Sequence, residues 1–233
     1  MRLSFIQGII DIIRGKKTLR DELLKKAFVR KILGSYSQYG EDIILAKILK
    51  VKKNGFYIDI GAHHPTDLNN TQYFYNRGFR GINIEPNPEL IEEFYVQRPE
   101  DINLNVGVAP NEGEMEFYLV EASTLSTFNK EAAHQSCEIY KTKIKGQITV
   151  KTTSLKKIIE EHANSKVIDF ISVDAEGYDL AVLQSNDWQK HRPTLVMVEI
   201  NQDMDNILKF MSENNYEVLY NNATNCIFKN LNS

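Results

Sequence analysis

The sequence predicts an α/β fold: a mostly parallel, doubly wound sheet with helices on both faces. Three observations carry this. Short, β-favouring apolar runs alternate with helical patterns along the chain. Four of those runs end on a carboxylate, at Asp59, Glu85, Asp174 and Glu199. The first strand breaks at Gly61 into a tight turn followed by a helix and a second strand, which is a right-handed βαβ crossover. A doubly wound sheet gathers the carboxyl ends of its strands along one edge, where ligands bind.

Residues 1–34 hold nine Lys or Arg against three acids, and Leu19, Leu23, Leu24, Ala27, Phe28 and Ile32 recur at helical spacing. This segment is expected to be a basic helical appendage packed on the domain formed by residues 35–233. An anionic membrane surface or a partner is the alternative resting place for its basic face. Phe5 to Ile13 is apolar but interrupted by Gln7 and Asp11, too short and too polar for a membrane span or signal core. The stretch Ser35 to Asp42 is polar and precedes a helical pattern from Ile43 to Leu49. Ser37, Glu41 and Asp42 suit a helix start, and Gln38 and Glu41 are also candidates for ligand contacts.

Phe56, Ile58 and Ile60 make the first strand, and Asp59 is its anomaly. A carboxylate buried in an apolar strand costs several kcal/mol unless something pairs with it. It either serves a ligand or caps the following segment. Asn69 to Arg77 reads as a helix stopped by Gly78, and Gly81 to Ile84 as a second strand ending on Glu85. Pro88 opens a helix that runs to about Gln97. Ile102 to Val108 is expected to be a third strand, with extra strands at 115–120 and 147–151. Between those extra strands, residues 121–146 are polar and lack clear periodicity, which suggests a lid or substrate-covering insertion. Ser154 caps a helix, Val167 to Val173 and Thr194 to Asn201 are the fourth and fifth strands, and a helix and an antiparallel hairpin close the chain at one sheet edge.

The first turn decides which nucleotide suits the strand ends. A dinucleotide site needs Gly-x-Gly-x-x-Gly so that backbone amides can approach a pyrophosphate, whereas His63 and His64 follow Gly61-Ala62 here. The chain has no Gly-Lys-Ser/Thr phosphate loop and no Tyr-x-x-x-Lys pair. An acid-rich, phosphate-poor cleft suits S-adenosylmethionine, whose ribose, adenine, sulfonium and amino-acid tail carry no phosphate. The net charge of -3 gives no global attraction to nucleic acid. Cys137 and Cys226 lack metal-ligand spacing and disulfide density, which fits a reducing cytoplasm.

Ser37-Gln-Tyr-Gly-Glu-Asp42, Tyr57-Ile-Asp-Ile-Gly-Ala-His-His-Pro65, Asn70-Thr71, Gly81-Ile-Asn-Ile-Glu-Pro86, Ser123-Thr-Leu-Ser-Thr127 and Val173-Asp-Ala-Glu-Gly-Tyr-Asp179 resemble the FkbM-type S-adenosylmethionine-dependent methyltransferases. The match runs in order from about Ser35 to Asn201. It implies a class I methyltransferase (Rossmann-like) fold with a seven-stranded sheet, and methyl transfer to a hydroxyl, often of a sugar. The second histidine departs from the glycine-containing turn of many relatives. Carried onto matching positions, the resemblance implies that Asp59 and Gly61 hold the methionine portion and that Glu85 accepts from the ribose. Asn105 and Val106 are candidates for the adenine, and Gln38, Ala62, Thr71 and Pro86 complete the cofactor-binding set.

A sugar hydroxyl must lose a proton, so His63, His64 or Asp174 is expected to act as general base, against the alternative that each histidine only holds its turn. Asp174, Glu199 and Asn201 are the candidate ligands for a divalent ion, Mg²⁺ or Mn²⁺, with loop and substrate ordering as their alternative role. The expected partner is a sugar or nucleotide sugar, in polysaccharide biosynthesis, with no nucleic acid, at most peripheral membrane contact, and homo-oligomerisation left open. A nucleic-acid N-methyltransferase is the first rival, disfavoured because the fourth strand ends in Asp-Ala-Glu-Gly rather than Asp/Asn-Pro-Pro-aromatic. A non-catalytic module using the basic helix is the second.

Overall fold

The computed structural model describes residues 32, 34–51, 54–200, 203–222 and 224–232. The expected basic helix of residues 1–34 and the candidate ligand Asn201 lie outside these, apart from residues 32 and 34.

The chain enters through α1 (Glu41–Leu49) and then lays down β1 (Phe56–Ile60), α2 (Gln72–Tyr75), β2 (Arg80–Ile84), α3 (Pro88–Gln97) and β3 (Ile102–Leu104). An excursion follows: β4 (Gly107–Val108), β5 (Gly113–Val120), a 3-10 turn (Ser123–Leu125), α4 (Lys130–Tyr140) and β6 (Ile144–Thr153). The chain returns through α5 (Leu155–His162), β7 (Phe170–Val173), α6 (Asp179–Gln184), β8 (Leu195–Glu199), α7 (Met204–Glu213), β9 (Tyr216–Asn221) and β10 (Asn225–Asn230).

The main sheet has seven strands in the order β3-β2-β1-β7-β8-β10-β9. The first five are parallel, and β10 is antiparallel to both β8 and β9. Building outward from β1 to β3 and then restarting at β7 on the other side makes β1/β7 the topological switch point, the place where open α/β sheets bind ligands. This is the class I methyltransferase architecture, including the expected antiparallel C-terminal edge.

Every residue of β1 is buried, and side-chain alternation splits the strand between two cores. Ile58 and Ile60 join Ile82, Ile84, Ile171, Val196 and Val198 against α5, α6 and α7. Tyr57 faces the other way with Phe170, Leu195 and Met197, packed under Leu45 of α1 and Phe74 of α2. Fully burying one such aliphatic or aromatic side chain contributes about 1.5–3 kcal/mol, so the strands are held from both sides. Asp59 is on the Tyr57 face, the side covered by α1 and α2.

Two elements differ from the sequence expectation, and a third stretch gains definition. The helix expected over 69–77 is only Gln72–Tyr75, because the Asn69 side chain accepts from the Thr71 and Gln72 amides at 2.9 and 2.8 Å and makes the preceding residues a turn. The third strand is broken. Asn105 Nδ2 donates to the carbonyls of Glu85 (2.9 Å) and Pro86 (3.0 Å), and the chain then leaves the main sheet, with Gly107–Val108 pairing parallel to β6 in a second, three-stranded sheet. The segment 121–146 is structured, containing the 3-10 turn and an eleven-residue helix whose N-cap Asn129 accepts from Ala132 N.

Candidate active site

Asp59 is 3% exposed at the end of β1 and accepts from Thr71 Oγ1 at 2.8 Å and Asn69 Nδ2 at 3.2 Å. Burial pushes its pKa up, against the pull of the Thr71 hydroxyl and the Arg98 charge. Arg98, fully buried at the end of α3, donates to Thr71 Oγ1 (2.7 Å), Asn69 Oδ1 (2.7 Å), Gln72 Oε1 (3.0 Å) and the Pro65 carbonyl. Thr71 therefore relays a buried positive charge to Asp59, and one guanidinium ties down the loop that follows β1.

Gly61 adopts φ +74, and a Cβ there would stand 1.8 Å from the Asp174 carbonyl oxygen. The loops after β1 and β7 thus touch at the switch point. The Gly61 and Ala62 amides both donate to the Ile84 carbonyl, at 3.0 and 3.1 Å. Both amides are thus used within the fold. Ala62 is buried against Ile91 and Phe94.

Glu85 lies one residue past β2, 5% exposed, with its two oxygens accepting from His63 N (2.9 Å) and Asn87 N (2.8 Å). Each oxygen keeps a lone pair for a ligand hydroxyl. Burial raises its pKa to about 7, outweighing the two amide donors that lower it. A carboxyl whose folded pKa lies above its ordinary 4.5 is protonated more readily in the folded chain, so its contribution to stability falls as pH rises from about 4.5 through about 7. Glu85→Gln is expected to flatten that slope by no more than about 3 kcal/mol. Urea denaturation at pH 5 and pH 8 measures it; an unaltered slope would exclude Glu85 as its source.

The two histidines have different tasks. His64 Nδ1 accepts from Thr66 N (3.2 Å) and Asp67 N (3.0 Å), so the ring closes its own turn. His63 sits at φ +53 with its ring Nε2 3.0 Å from Ser123 Oγ in the 3-10 turn. Burial, then the neighbouring His64, lowers the His63 pKa, and Asp67 raises it. Pro86 and Asn105 meet through the Asn105 amide described above, with half-buried Val106 next in the chain.

On the other side of the switch point, Asp174, Glu176 and Glu199 bring carboxylate oxygens within 4.8 Å of one another. Asp174 Oδ1 is inaccessible to solvent and without a hydrogen-bond partner, while the Asp174 carboxyl as a whole is hydrogen-bonded to that of Glu199. Burial raises all three pKa values first, and nearby carboxylates add to it, chiefly Asp179 and Asp59 at Asp174 and chiefly Asp174 at Glu176 and Glu199. Two of the three candidate metal ligands are thus brought together. Glu176 joins them through a left-handed backbone (φ +49), and buried Asp179 fixes the loop by accepting from Ala175 N and Gly177 N.

The loop before α1 borders this edge: Tyr36 O accepts from Asn69 N, and half-buried Gln38 lies in the same loop. Glu41, a candidate for ligand contacts, is instead fully buried and structural. Its carboxylate accepts from Tyr39 N (2.8 Å), Asn222 Nδ2 (2.9 Å) and Asn225 Nδ2 (3.3 Å). Asn225 pairs with Glu199 across the sheet. Sequence reading assigned no role to Arg98, Ser123 or Glu176. The last two sit inside quoted motifs, whereas nothing local marks Arg98.

Fold and site define the class I methyltransferase architecture, with buried and half-buried acids gathered at the switch point. The family model for the methyltransferase FkbM domain matches residues 59–218, and the chain belongs to that family of S-adenosylmethionine-dependent methyltransferases. Solved structures similar to it include the methyltransferase FkbM from Methylobacillus flagellatus KT, at 13% identity and TM-score 0.48, covering 76% of this chain and 43% of that one. The chain thus spans less than half of that relative. A TehB-like SAM-dependent methyltransferase from Corynebacterium glutamicum is 9% identical with TM-score 0.44, covering 90% and 97%. TrmK of M. capricolum, in complex with S-adenosyl-homocysteine, is 14% identical with TM-score 0.37, covering 80% and 66%. No curated protein sequence matches the chain. Among the described residues, no helix is long and apolar enough to cross a membrane.

Proposed function

We propose that this methyltransferase acts on a hydroxyl of a sugar, free, nucleotide-linked or within a glycan, in surface-polysaccharide biosynthesis. The observation that carries the reading is the placement of acceptors without a phosphate cradle. Asp59 and Glu85 end adjacent strands on the cofactor side, and the half-buried carboxylates of Asp174, Glu176 and Glu199 stand across the switch point to receive hydroxyl donors. Asp59, Gly61, Ala62 and Thr71 are the methionine-side residues of this reading, Glu85 and Pro86 the ribose side, and Asn105 and Val106 the adenine side. When bound, S-adenosylmethionine supplies an electrophilic methyl group. The chain's work is to align the acceptor oxygen with it, at about 3–3.5 Å, and to accept a proton.

Hydrogen bonding distinguishes the candidate bases. His64 Nδ1 is committed to two backbone donors, so its neutral ring carries the proton on Nε2 and has no free lone pair. His63 keeps Nδ1 unbonded and is held neutral by burial. Asp174, raised by burial and its acidic neighbours, is the second candidate. His63→Ala is expected to lower single-turnover methyl transfer about 10²- to 10³-fold, and His64→Ala to act mainly by loosening the loop. Equal losses of turnover in the two variants, at equal stability, would remove the distinction.

A second reading assigns a divalent ion to the carboxylate cluster, supported by the approach of its three carboxyl groups to within 4.8 Å of one another. Asp174, Glu176 and Glu199 are hard oxygen ligands that would hold Mg²⁺ or Mn²⁺, which would lower the pKa of an acceptor hydroxyl. Chelator treatment is expected to abolish turnover and added Mg²⁺ or Mn²⁺ to restore it; unchanged turnover would remove the ion. Two well-separated free cysteines suit a reducing cytoplasm. Nucleic acid is not an expected substrate of this acidic crevice, and membrane contact, if made, is peripheral.

The test is calorimetry with S-adenosyl-homocysteine, followed by transfer from labelled S-adenosylmethionine to a panel of nucleotide sugars, with and without metal. Asp59→Ala is expected to weaken cofactor-product binding by about tenfold or more. Absence of binding to the unmodified chain would sink the reading.

A further inference from the structure

Three hydroxyl side chains in one short stretch point to three different elements. Ser126 Oγ accepts from Val120 N at 3.1 Å, closing the end of β5. Thr127, 1% exposed, exchanges backbone hydrogen bonds with Tyr118 at 2.9 and 3.2 Å and donates from Oγ1 to the Glu176 carbonyl at 2.9 Å. Asn129 Nδ2 adds a bond to the Gly177 carbonyl at 3.4 Å. The turn is therefore fixed both to β5 and to the loop after β7, and it presents Ser123 Oγ to His63 Nε2 at 3.0 Å. The position of Ser123 does not depend on His63.

His63 is fixed equally firmly from its own side. Its amide is bonded to Glu85, its backbone is held at φ +53, and Arg98 ties the Pro65 carbonyl two residues on. Among the described residues, its ring hydrogen-bonds only to Ser123. Its neutral form has two arrangements. If Ser123 donates to Nε2, the ring proton is on Nδ1 and the free nitrogen can only donate. If Nε2–H donates to Ser123 Oγ, Nδ1 bears a lone pair and can take a proton.

We infer that Ser123 is the positioning residue for His63, its hydroxyl oxygen accepting from Nε2–H so that Nδ1 is kept unprotonated to receive the proton of the acceptor hydroxyl. The inference rests on the methyl-transfer reading above and adds the residue that sets the base. In the step it serves, the acceptor oxygen bonds to the methyl carbon, the carbon–sulfur bond breaks with its electron pair going to sulfur, and the hydroxyl proton ends on Nδ1. The resulting imidazolium keeps its Nε2–H bond to Ser123, as oriented imidazoles do in nucleophile–base pairs. The titratable groups facing His63 are His64 and Asp67 on its own loop and Glu85 from the end of β2.

Long-range proton–nitrogen NMR of the ¹⁵N-labelled intact chain reads the tautomer directly, with His63→Gln to assign the signals. The unmodified chain is expected to hold His63 as the Nε2–H tautomer at pH 8, Ser123→Ala to populate both tautomers, and Ser123→Thr to restore the first. An Nδ1–H tautomer in the unmodified chain, or a spectrum unmoved by Ser123→Ala, overturns the inference. Ser123 is half-buried in a turn pinned by its neighbours, so the variants are expected to fold. Calorimetry with S-adenosyl-homocysteine separates the two levels. Ser123→Ala is expected to leave its affinity within about twofold, and a loss of about tenfold or more would make Ser123 a cofactor-site support and overturn the inference. If the unmodified chain does not bind S-adenosyl-homocysteine, the methyl-transfer reading fails whatever the tautomer. If it binds and the tautomer ignores Ser123, only the positioning role fails.

Discussion

Gly61→Ala is expected to destabilise the chain by about 4–5 kcal/mol or to prevent folding, an effect in the exceptional range for a single methyl group. Two costs add. A left-handed backbone at φ +74 costs a residue with a Cβ about 1–2 kcal/mol. The larger cost is steric, because the added carbon would lie 1.8 Å from the Asp174 carbonyl oxygen, and a backbone atom cannot rotate aside. Relief requires the loops after β1 and β7, which carry His63 and Asp174, to separate. Gly177→Ala is the control: φ is +85 there, but the nearest atom to its added Cβ is a side-chain methyl at 3.4 Å, so only the backbone cost of about 1–2 kcal/mol is expected. Urea denaturation compares the two. Equal losses would mean that the close approach at the switch point is absent in solution.

Arg98→Met is expected to cost about 3–5 kcal/mol and to abolish S-adenosyl-homocysteine binding. Methionine fills much of the volume but donates nothing, leaving Asn69 Oδ1, Gln72 Oε1 and the Pro65 carbonyl without their guanidinium partner. Asp59 and Asp101 also lose the nearby positive charge that offsets their burial, so both carboxyls would protonate more readily. Arg98→Lys keeps the charge but has one donor nitrogen in place of a planar fork, and it is expected to recover only part of the loss. If Arg98→Met matched the unmodified chain in denaturation midpoint, the loop after β1 would be held by something other than this buried cation.

The sheet was legible in the sequence because its strands are short apolar runs punctuated by Gly, Pro and acids. The acids themselves were legible because a carboxylate is expensive in such a setting. What escaped was decided by contacts between distant segments. Asn69 looks like one more helical residue until its side chain is seen capping the turn and binding Arg98. Asn105 sits in an apolar run, and only its two carbonyl partners at the end of β2 reveal the break. The helix at Lys130–Tyr140 buries just Ala133, too little apolar surface to leave a periodic pattern. Within the site, Glu176 lies two residues beyond the acid at its strand end and is turned toward the cluster by its left-handed backbone. Ser123 reaches His63 across sixty positions of sequence. Spacing rules govern neighbours along a strand or helix and are silent on such meetings.

The break at Asn105 has an evolutionary consequence. The chain leaves the main sheet there and rejoins it through α5, with Gly107 paired to Thr152 so that the excursion starts and finishes side by side. Everything between is a closed detour whose ends are already matched, and its contents can lengthen, shorten or diverge without altering the register of the seven-stranded sheet. The detour touches the site through Ser123 on His63 and Thr127 on the Glu176 carbonyl, so changes of length are expected to be tolerated away from those two contacts.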